Sequence, residues 1–188
     1  RIPFWWLNSL VEENILKNGR LVSDFEPELS KYFRIENIIG MTMWLSAVID
    51  EPGTVCVRHV QRGYPVKEIH PRMKGRADNL RNVFKKACLS PHVEDIRAEI
   101  FSKSLNALAF NVVALDTGYS NIELGNDSYS LDSIRRIMGE GEQISDSLGI
   151  KLSQDIESRI KQTLSSTAHT MSMLTDFSPT STRVNLKR

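Results

Sequence analysis

Lys103, Asn106 and Asn111 are the side chains of this 188-residue chain best placed by type and spacing to do chemistry. They follow the stretch Val93-Glu94-Asp95-Ile96-Arg97-Ala98-Glu99-Ile100-Phe101-Ser102, which leads into a helical pattern. At about 100° per residue, Lys103, Ala107 and Asn111 fall within about 80° on one face, and Asn106 lies about 60° to the other side of Lys103. An ammonium beside carboxamides can hold a small polar ligand. The lysine can donate a proton or stabilise a developing oxyanion, and the carboxamides can bond carbonyl or hydroxyl groups. A lysine on the inner side of a helix carries a desolvation cost and calls for a partner or a task. Spacing alone leaves a plainer alternative open: a solvated helix lysine at 103, and at 111 an asparagine that bonds within its own helix.

The elements that would position these groups change character along the chain. Residues 36–70 read as strands: Ile38 to Ile49 is apolar and rich in β-branched residues, Asp50-Glu51-Pro52-Gly53 is a turn signal, and Thr54 to Val60 resumes in strand style. Arg62-Gly63 turns the chain and Tyr64 to Ile69 follows, which predicts an antiparallel meander. Arg76 to Cys88 has helical spacing through Ala77, Leu80, Val83, Phe84 and Ala87. Pro91-His92-Val93 reads as a short strand or a connector. From about Ile96 helix periods dominate. One helix is predicted over Arg97–Leu115, stopped by Thr117-Gly118. A second runs over Ser130–Leu148, with Leu131, Ile134, Ile137 and Met138 as its stripe and Gly149 as its stop. A third covers Ser153–Leu164, with Ser153 as N-cap and Ile156, Ile160 and Leu164 inward. A fourth, shorter helix is expected around Ala168–Phe177, before a loop-like tail from Ser178. No internal repeat is visible.

Composition narrows the classes. Charge is nearly balanced, 24 Lys+Arg against 23 Asp+Glu, which argues against a dedicated nucleic-acid surface. No apolar run approaches the roughly 18 residues of a membrane span, and the segment after Arg1 lacks the pattern of a signal peptide. The chain opens without a methionine, which suggests a fragment or a trimmed chain. Cys56 and Cys88 have no metal-like spacing and read as reduced thiols of a cytoplasmic protein. His59, His70 and His92 have no ligand-spaced partner, so no metal site is expected.

Six segments in order resemble the ketopantoate reductase (2-dehydropantoate 2-reductase) family over almost the whole chain. Ile2-Pro3-Phe4-Trp5-Trp6 resembles the segment after that family's "Q-N-G-I-P" loop, and Asn37-Ile38-Ile39-Gly40 its "R-V-I-G" strand entry. Val93 to Lys103 resembles its "V-E-D-I-R-A-E-I-W" lead-in to a catalytic lysine. Phe110-Asn111 with Thr117-Gly118 is similar to "F-N-P-x-S-A-L-T-G", and Glu142 through Leu148-Gly149-Ile150 to "E-A-x-A-x-A-L-G-I". His169, Ser172-Met173-Leu174 and Asp176 resemble "H-K-T-S-M-L-Q-D". The resemblance implies Lys103 as general acid for a ketone oxygen, Asn111 as a substrate contact and Ser172 as the binder of a substrate carboxylate. It implies hydride transfer from NADPH to a 2-keto acid, 2-dehydropantoate, to give pantoate. Independently of the resemblance, the exposed edge and apolar face of a truncated sheet predict a homodimer, or poor solubility.

The departures weigh the other way. The family's first helix asparagine falls four residues after the lysine, where this chain has Ala107; Asn106 is one place early, about 100° around the helix. The family's glutamate twelve residues after the serine is Val184 here, and no acidic residue follows Asp176. No G-x-G-x-x-G occurs; by the resemblance, that loop belongs roughly a hundred residues before Ile2.

The expected fold class is α+β: residues 1–95 as the second half of a Rossmann-type nucleotide-binding domain, then 96–188 as an all-helical substrate and dimerisation domain, truncated at its C-terminus. A non-catalytic binding or dimerisation module is the competing expectation. A partial sheet would leave Trp5, Trp6, Met41, Met43 and Trp44 in need of cover; Trp5 and Trp6 suit core and interdomain packing better than a ligand platform. His169 reads as a helix-surface histidine. Gly139 and Gly141 either allow close helix approach or only weaken their helix. Arg135-Arg136 could meet a phosphate or form a solvated face.

Overall fold

The structure is a computed structural model, and it describes residues 37–69, 74–87, 89–166, 169–171 and 173–174. Trp5, Trp6, His70, Cys88, Ser172, Asp176, Val184 and the tail from Ser178 lie outside the described residues. The chain divides into two compact units between Ile100 and Phe101.

The first unit holds all the strands among the described residues: β1 (Ile39–Met41), β2 (Trp44–Glu51), β3 (Thr54–Gly63) and β4 (Val66–Glu68). β2 and β3 form an antiparallel hairpin closed by Pro52-Gly53, with Gly53 at φ 89° as a Pro-Gly turn requires. β1 pairs antiparallel with β4, not with β2. The expected meander is therefore a single two-stranded ribbon with a gap. Met41 faces Val66 and, three residues on, Trp44 faces Gly63, so the register is continuous. The ladder breaks between those pairs because Pro65 has no N–H and the Tyr64 N–H is diverted to the Leu89 carbonyl at 2.8 Å.

Helix α1 (Arg76–Phe84) begins after Gly75, which has no capping side chain; the Glu68 carboxylate instead accepts the Ala77 N–H at 2.7 Å. The helix is shorter than its sequence period suggests. Ala87 is exposed in the turn that follows, and Val83 is 60% exposed, because only Ala77 of this helix is buried. Residues 91–93 form a connector.

Helix α2 (Ile96–Thr117) starts in this unit. Its Glu99 is 2% exposed. The Glu99 carboxylate pairs with Arg62 at 2.9 Å and accepts the Trp44 indole N–H at 3.2 Å. The Arg62 guanidinium also lies over the Trp44 ring, 5.9 Å from its centroid. Trp44, expected to need cover from outside, is thus buried within the unit. Met41 and Met43 stay exposed, as does one face of the hairpin, where Ala47, Ile49, Val55, Val57 and Val60 line up across the strands.

The second unit is helical: the remainder of α2, then α3 (Asn121–Asn126), α4 (Ser128–Ser147) and α5 (Ile156–Leu164). Its core gathers Leu105, Ala109, Phe110 and Val113 of α2 with Leu124, Ile134, Met138, Ile160 and Met171. Gly118 (φ 75°) and Gly149 (φ 69°) follow α2 and α4 in the left-handed conformation expected of helix stops. The short α3 was not expected from periodicity. Its signature is the capping box of Ser120 and Glu123, in which each side chain bonds the other's backbone N–H. Asp127 caps α4 through the Ser130 N–H, so α4 begins two residues before the predicted start. The third predicted helix needs correction at its start. Asp155, not Ser153, is the N-cap of α5, because its carboxylate accepts the Ser158 N–H at 2.8 Å while the Ser153 hydroxyl reaches Ser102. His169–Met171 are not helical, which corrects the predicted helix from Ala168; Met173 and Leu174 are helical.

Gly141 permits the closest approach in this unit: a Cβ there would sit 2.3 Å from Leu105 Cδ1, whereas one on Gly139 would meet open space. No helix among the described residues is long and apolar enough to cross a membrane.

Candidate active site

Lys103 sits on α2, two residues into the second unit, and is half-buried. Burial lowers the pKa of its amine, and the positive charge of Arg159 lowers it further. A depressed lysine holds its proton less tightly than usual and so is a better proton donor near neutral pH.

The two asparagines do different things. Asn111 is buried on the Lys103 side of the helix. Its amide nitrogen donates back to the Ala107 carbonyl at 2.7 Å, and its side-chain oxygen accepts the backbone N–H of Met173 at 3.0 Å. Asn111 therefore holds the backbone immediately after Ser172, and both ends of its carboxamide have protein partners. Asn106 faces α5: its side-chain oxygen accepts from Arg159 Nε at 3.2 Å and from the Thr163 hydroxyl at 2.9 Å. Ala107, at the place of the missing carboxamide, is exposed. The helix is regular here, so Asn106 does not rotate into the position of Ala107.

Three residues of this region were not singled out from the sequence. Arg159 and Thr163 are buried on α5 at about 60° and 20° to one side of Ile156 in helical phase, beside the Ile156–Ile160 stripe, and that phase was the available signal. Asn121 is fully buried at the start of α3. Its side-chain oxygen accepts the His169 N–H at 2.8 Å, its amide donates to the Ser166 carbonyl and hydroxyl, and its backbone N–H donates to the His169 carbonyl at 3.1 Å. His169 is thus fixed by its backbone in a non-helical segment, not displayed on a helix surface. Asn121 thus holds Ser166 and His169, and Asn111 holds the backbone of Met173.

Arg135 is engaged on the surface by Glu157 at 2.8 Å and Asp132 at 3.4 Å, beside an open groove of about 430 Å³ lined by Tyr129, Ser133 and Arg136. His92 is exposed next to Glu94, and Cys56 is an exposed free thiol. Among the described residues no group of three or more His, Cys, Asp or Glu side chains is arranged to hold a metal ion.

The lysine's position carries a stability signature. Lowering a lysine pKa in the folded state costs stability wherever the amine is charged. The cost is full below the folded pKa and disappears as pH rises toward the ordinary lysine value. Lys103→Met is therefore expected to leave the unfolding midpoint at pH 7 unchanged or raised, with any advantage shrinking in alkaline buffer. Thermal unfolding across a pH series checks this; a clear loss of stability at pH 7 would contradict it.

The chain superposes on a complex of D-mandelate dehydrogenase with NADH, TM-score 0.69 at 19% identity, over 81% of this chain and 53% of that one. It also superposes on a candidate ketopantoate reductase from Ralstonia solanacearum MolK2, TM-score 0.68 at 18% identity, over 87% and 50%. Residues 95–181 match the family model described as "Ketopantoate reductase PanE/ApbA C terminal". A 2-dehydropantoate 2-reductase of Mesorhizobium japonicum is 28% identical over 180 residues, which span 94% of this chain and 54% of the relative. The chain thus spans about half the length of the curated relative it matches.

Proposed function

We propose that this chain supplies the substrate side of an NADPH-dependent 2-dehydropantoate 2-reductase, which reduces the ketone of 2-dehydropantoate to pantoate in pantothenate biosynthesis. The observation that carries the reading is Lys103: a half-buried amine of lowered pKa, inside the stretch that matches the ketopantoate reductase family. In this reading Lys103 gives its proton to the ketone oxygen as the alkoxide develops. Asn111 and Asn121 hold the segment that carries Ser172, whose hydroxyl would meet the acid end of the substrate. Residues 1–95 would be the second half of a Rossmann-type domain and 96–188 the helical substrate and dimerisation domain. The exposed thiol of Cys56 fits a cytoplasmic protein.

A nicotinamide dinucleotide, when bound, supplies the hydride. The described residues do not form its pyrophosphate cradle: no G-x-G-x-x-G occurs in the sequence, and the described strands pair antiparallel around tight turns. Binding and protonation of the keto acid are the steps that these residues can perform.

A second reading, a binding or dimerisation module without turnover, is favoured by Ala107 and by the engagement of Asn106 with Arg159 and Thr163. Calorimetric titration with 2-dehydropantoate and, separately, with NADPH distinguishes the two. Saturable keto-acid binding supports the reductase reading; binding of neither ligand leaves the module. Both readings expect a homodimer, supported by the exposed apolar hairpin face and by exposed Leu108, Val112 and Leu115 along α2. Light scattering at tens of micromolar should report twice the chain mass; a clean monomer there would contradict this.

A further inference from the structure

We infer that Ala107 sets the specificity of the keto-acid site: the chain holds the ketone end of a 2-oxo acid and does not read a hydroxyl further along it. The inference rests on the reading of Lys103 as the proton donor. It extends that site's substrate class to 2-oxo acids with plain alkyl chains, of which 2-dehydropantoate is a hydroxylated case.

The geometry begins with the turn of α2 that follows the lysine. Positions three and four residues apart are neighbours on a helix surface, with Cβ atoms about 5–6 Å apart. After Lys103 these positions are Asn106 and Ala107, and Asn111 lies one turn beyond Ala107. Two of these three side chains are committed to the protein. The Asn106 side-chain oxygen accepts from Arg159 Nε at 3.2 Å and from the Thr163 hydroxyl at 2.9 Å, on the side that faces α5. The Asn111 amide donates to the Ala107 carbonyl at 2.7 Å, and its oxygen accepts the Met173 N–H at 3.0 Å. Turning either carboxamide to a ligand would break bonds that join α2 to α5 or to the segment after Ser172. Ala107 is exposed and offers only a methyl group. Ser104 is exposed as well, but it follows Lys103 directly, about 100° around the helix, and adjacent helix positions do not face each other. The helix surface one turn beyond the amine is thus a methyl beside two engaged carboxamides.

The two kinds of surface discriminate differently. A site built to bond a ligand hydroxyl rejects the analogue that lacks it by orders of magnitude, because its own polar group is then left unpaired. A methyl has nothing to leave unpaired. A hydroxyl placed against it gains no bond from the protein, and an apolar surface rejects the added hydroxyl only weakly. 2-Dehydropantoate carries its hydroxyl on C4. The 4-deoxy analogue, 3,3-dimethyl-2-oxobutanoate, has the same carboxylate, ketone and branched carbon. The site should therefore accept both acids and give the hydroxylated one no advantage.

The test measures dissociation constants for the two acids by calorimetry on the wild-type chain, Ala107→Asn, Ala107→Gln, Ser104→Ala and Lys103→Ala. The wild type should bind the deoxy acid at least as tightly as 2-dehydropantoate. Ala107→Asn should move the ratio of the two constants about fivefold toward the hydroxylated acid, the scale of one net hydrogen bond. Ala107 is exposed, so the new side chain displaces nothing buried. Asparagine is nonetheless a weak helix former, whereas glutamine is close to alanine, so Ala107→Gln repeats the test with the helix protected and should shift the ratio the same way. Tighter binding of 2-dehydropantoate by the wild type, or a ratio unmoved in both Ala107 variants, overturns the role of Ala107. A wild-type preference for 2-dehydropantoate that Ser104→Ala removes overturns it too, and transfers the hydroxyl to Ser104. In each of these cases binding that still depends on Lys103 leaves the keto-acid reading standing, and only this inference fails. If the wild type binds neither acid, or if Lys103→Ala changes neither constant, the keto-acid reading falls as well.

Discussion

Glu99→Ala is expected to destabilise the first unit by about 3 kcal/mol, because removal of one partner of a buried ion pair leaves the other uncompensated. Glu99 serves Arg62 at 2.9 Å and the Trp44 indole at 3.2 Å, so its loss strands both a cation and a buried N–H. The Arg62 side chain is part-exposed, and water can reach the stranded guanidinium, which keeps the cost toward the lower end of the range for such pairs. Glu99→Gln keeps an acceptor for the indole and should cost about half as much. Urea unfolding followed by tryptophan fluorescence measures both. A loss of less than about 1 kcal/mol for the alanine variant would show that Trp44 and Arg62 find other partners.

Gly63→Ala is the other large effect. Gly63 has φ +70°, and a Cβ on it would lie 2.1 Å from the Leu89 carbonyl oxygen and 2.7 Å from Leu89 Cβ. The oxygen belongs to the backbone, so the clash cannot be relieved by a rotamer change. The same oxygen accepts the Tyr64 N–H that marks the gap in the ribbon. The left-handed conformation alone costs an L-residue about 1 kcal/mol, and displacement of Leu89 adds overpacking of about 1–3 kcal/mol. Gly53→Ala is the matched control: its φ is +89°, but the new Cβ would meet nothing within 4 Å. The control should lose only the conformational part, about 1 kcal/mol. Equal losses in denaturant unfolding for the two variants would mean that the Leu89 contact is of no energetic consequence.

Helix ends written as glycine were legible in the sequence. Gly118 and Gly149 stop helices because a residue without a Cβ takes the left-handed conformation cheaply. Helix starts were less so. Ser153 and Asp155 are both capping types two residues apart, and only the contact of Ser153 with Ser102, distant in sequence, leaves Asp155 as the cap. The six-residue α3 is too short for a period, and its capping box is a local signal that periodicity does not register. The ribbon's gap depends on Leu89, twenty-five residues after Tyr64. Trp44 looked like exposed surface because its cover, Glu99 and Arg62, is remote in the chain.

The candidate site was legible to a similar degree. Helical phase put Lys103 and Asn111 on a common side of α2, but it could not show that Asn111 holds the Met173 backbone or that Asn106 turns to Arg159. Arg159 lies beside the stripe of Ile156 and Ile160, about 60° from Ile156, yet charge makes such a residue easy to pass over as surface.

The most direct test of the account is titration of 2-dehydropantoate into the wild-type chain and into Lys103→Ala by calorimetry. The account predicts saturable binding that weakens about tenfold or more when the amine is removed, the loss expected for a hydrogen bond to a charged group. Binding that is absent, or that is unchanged by Lys103→Ala, would contradict it.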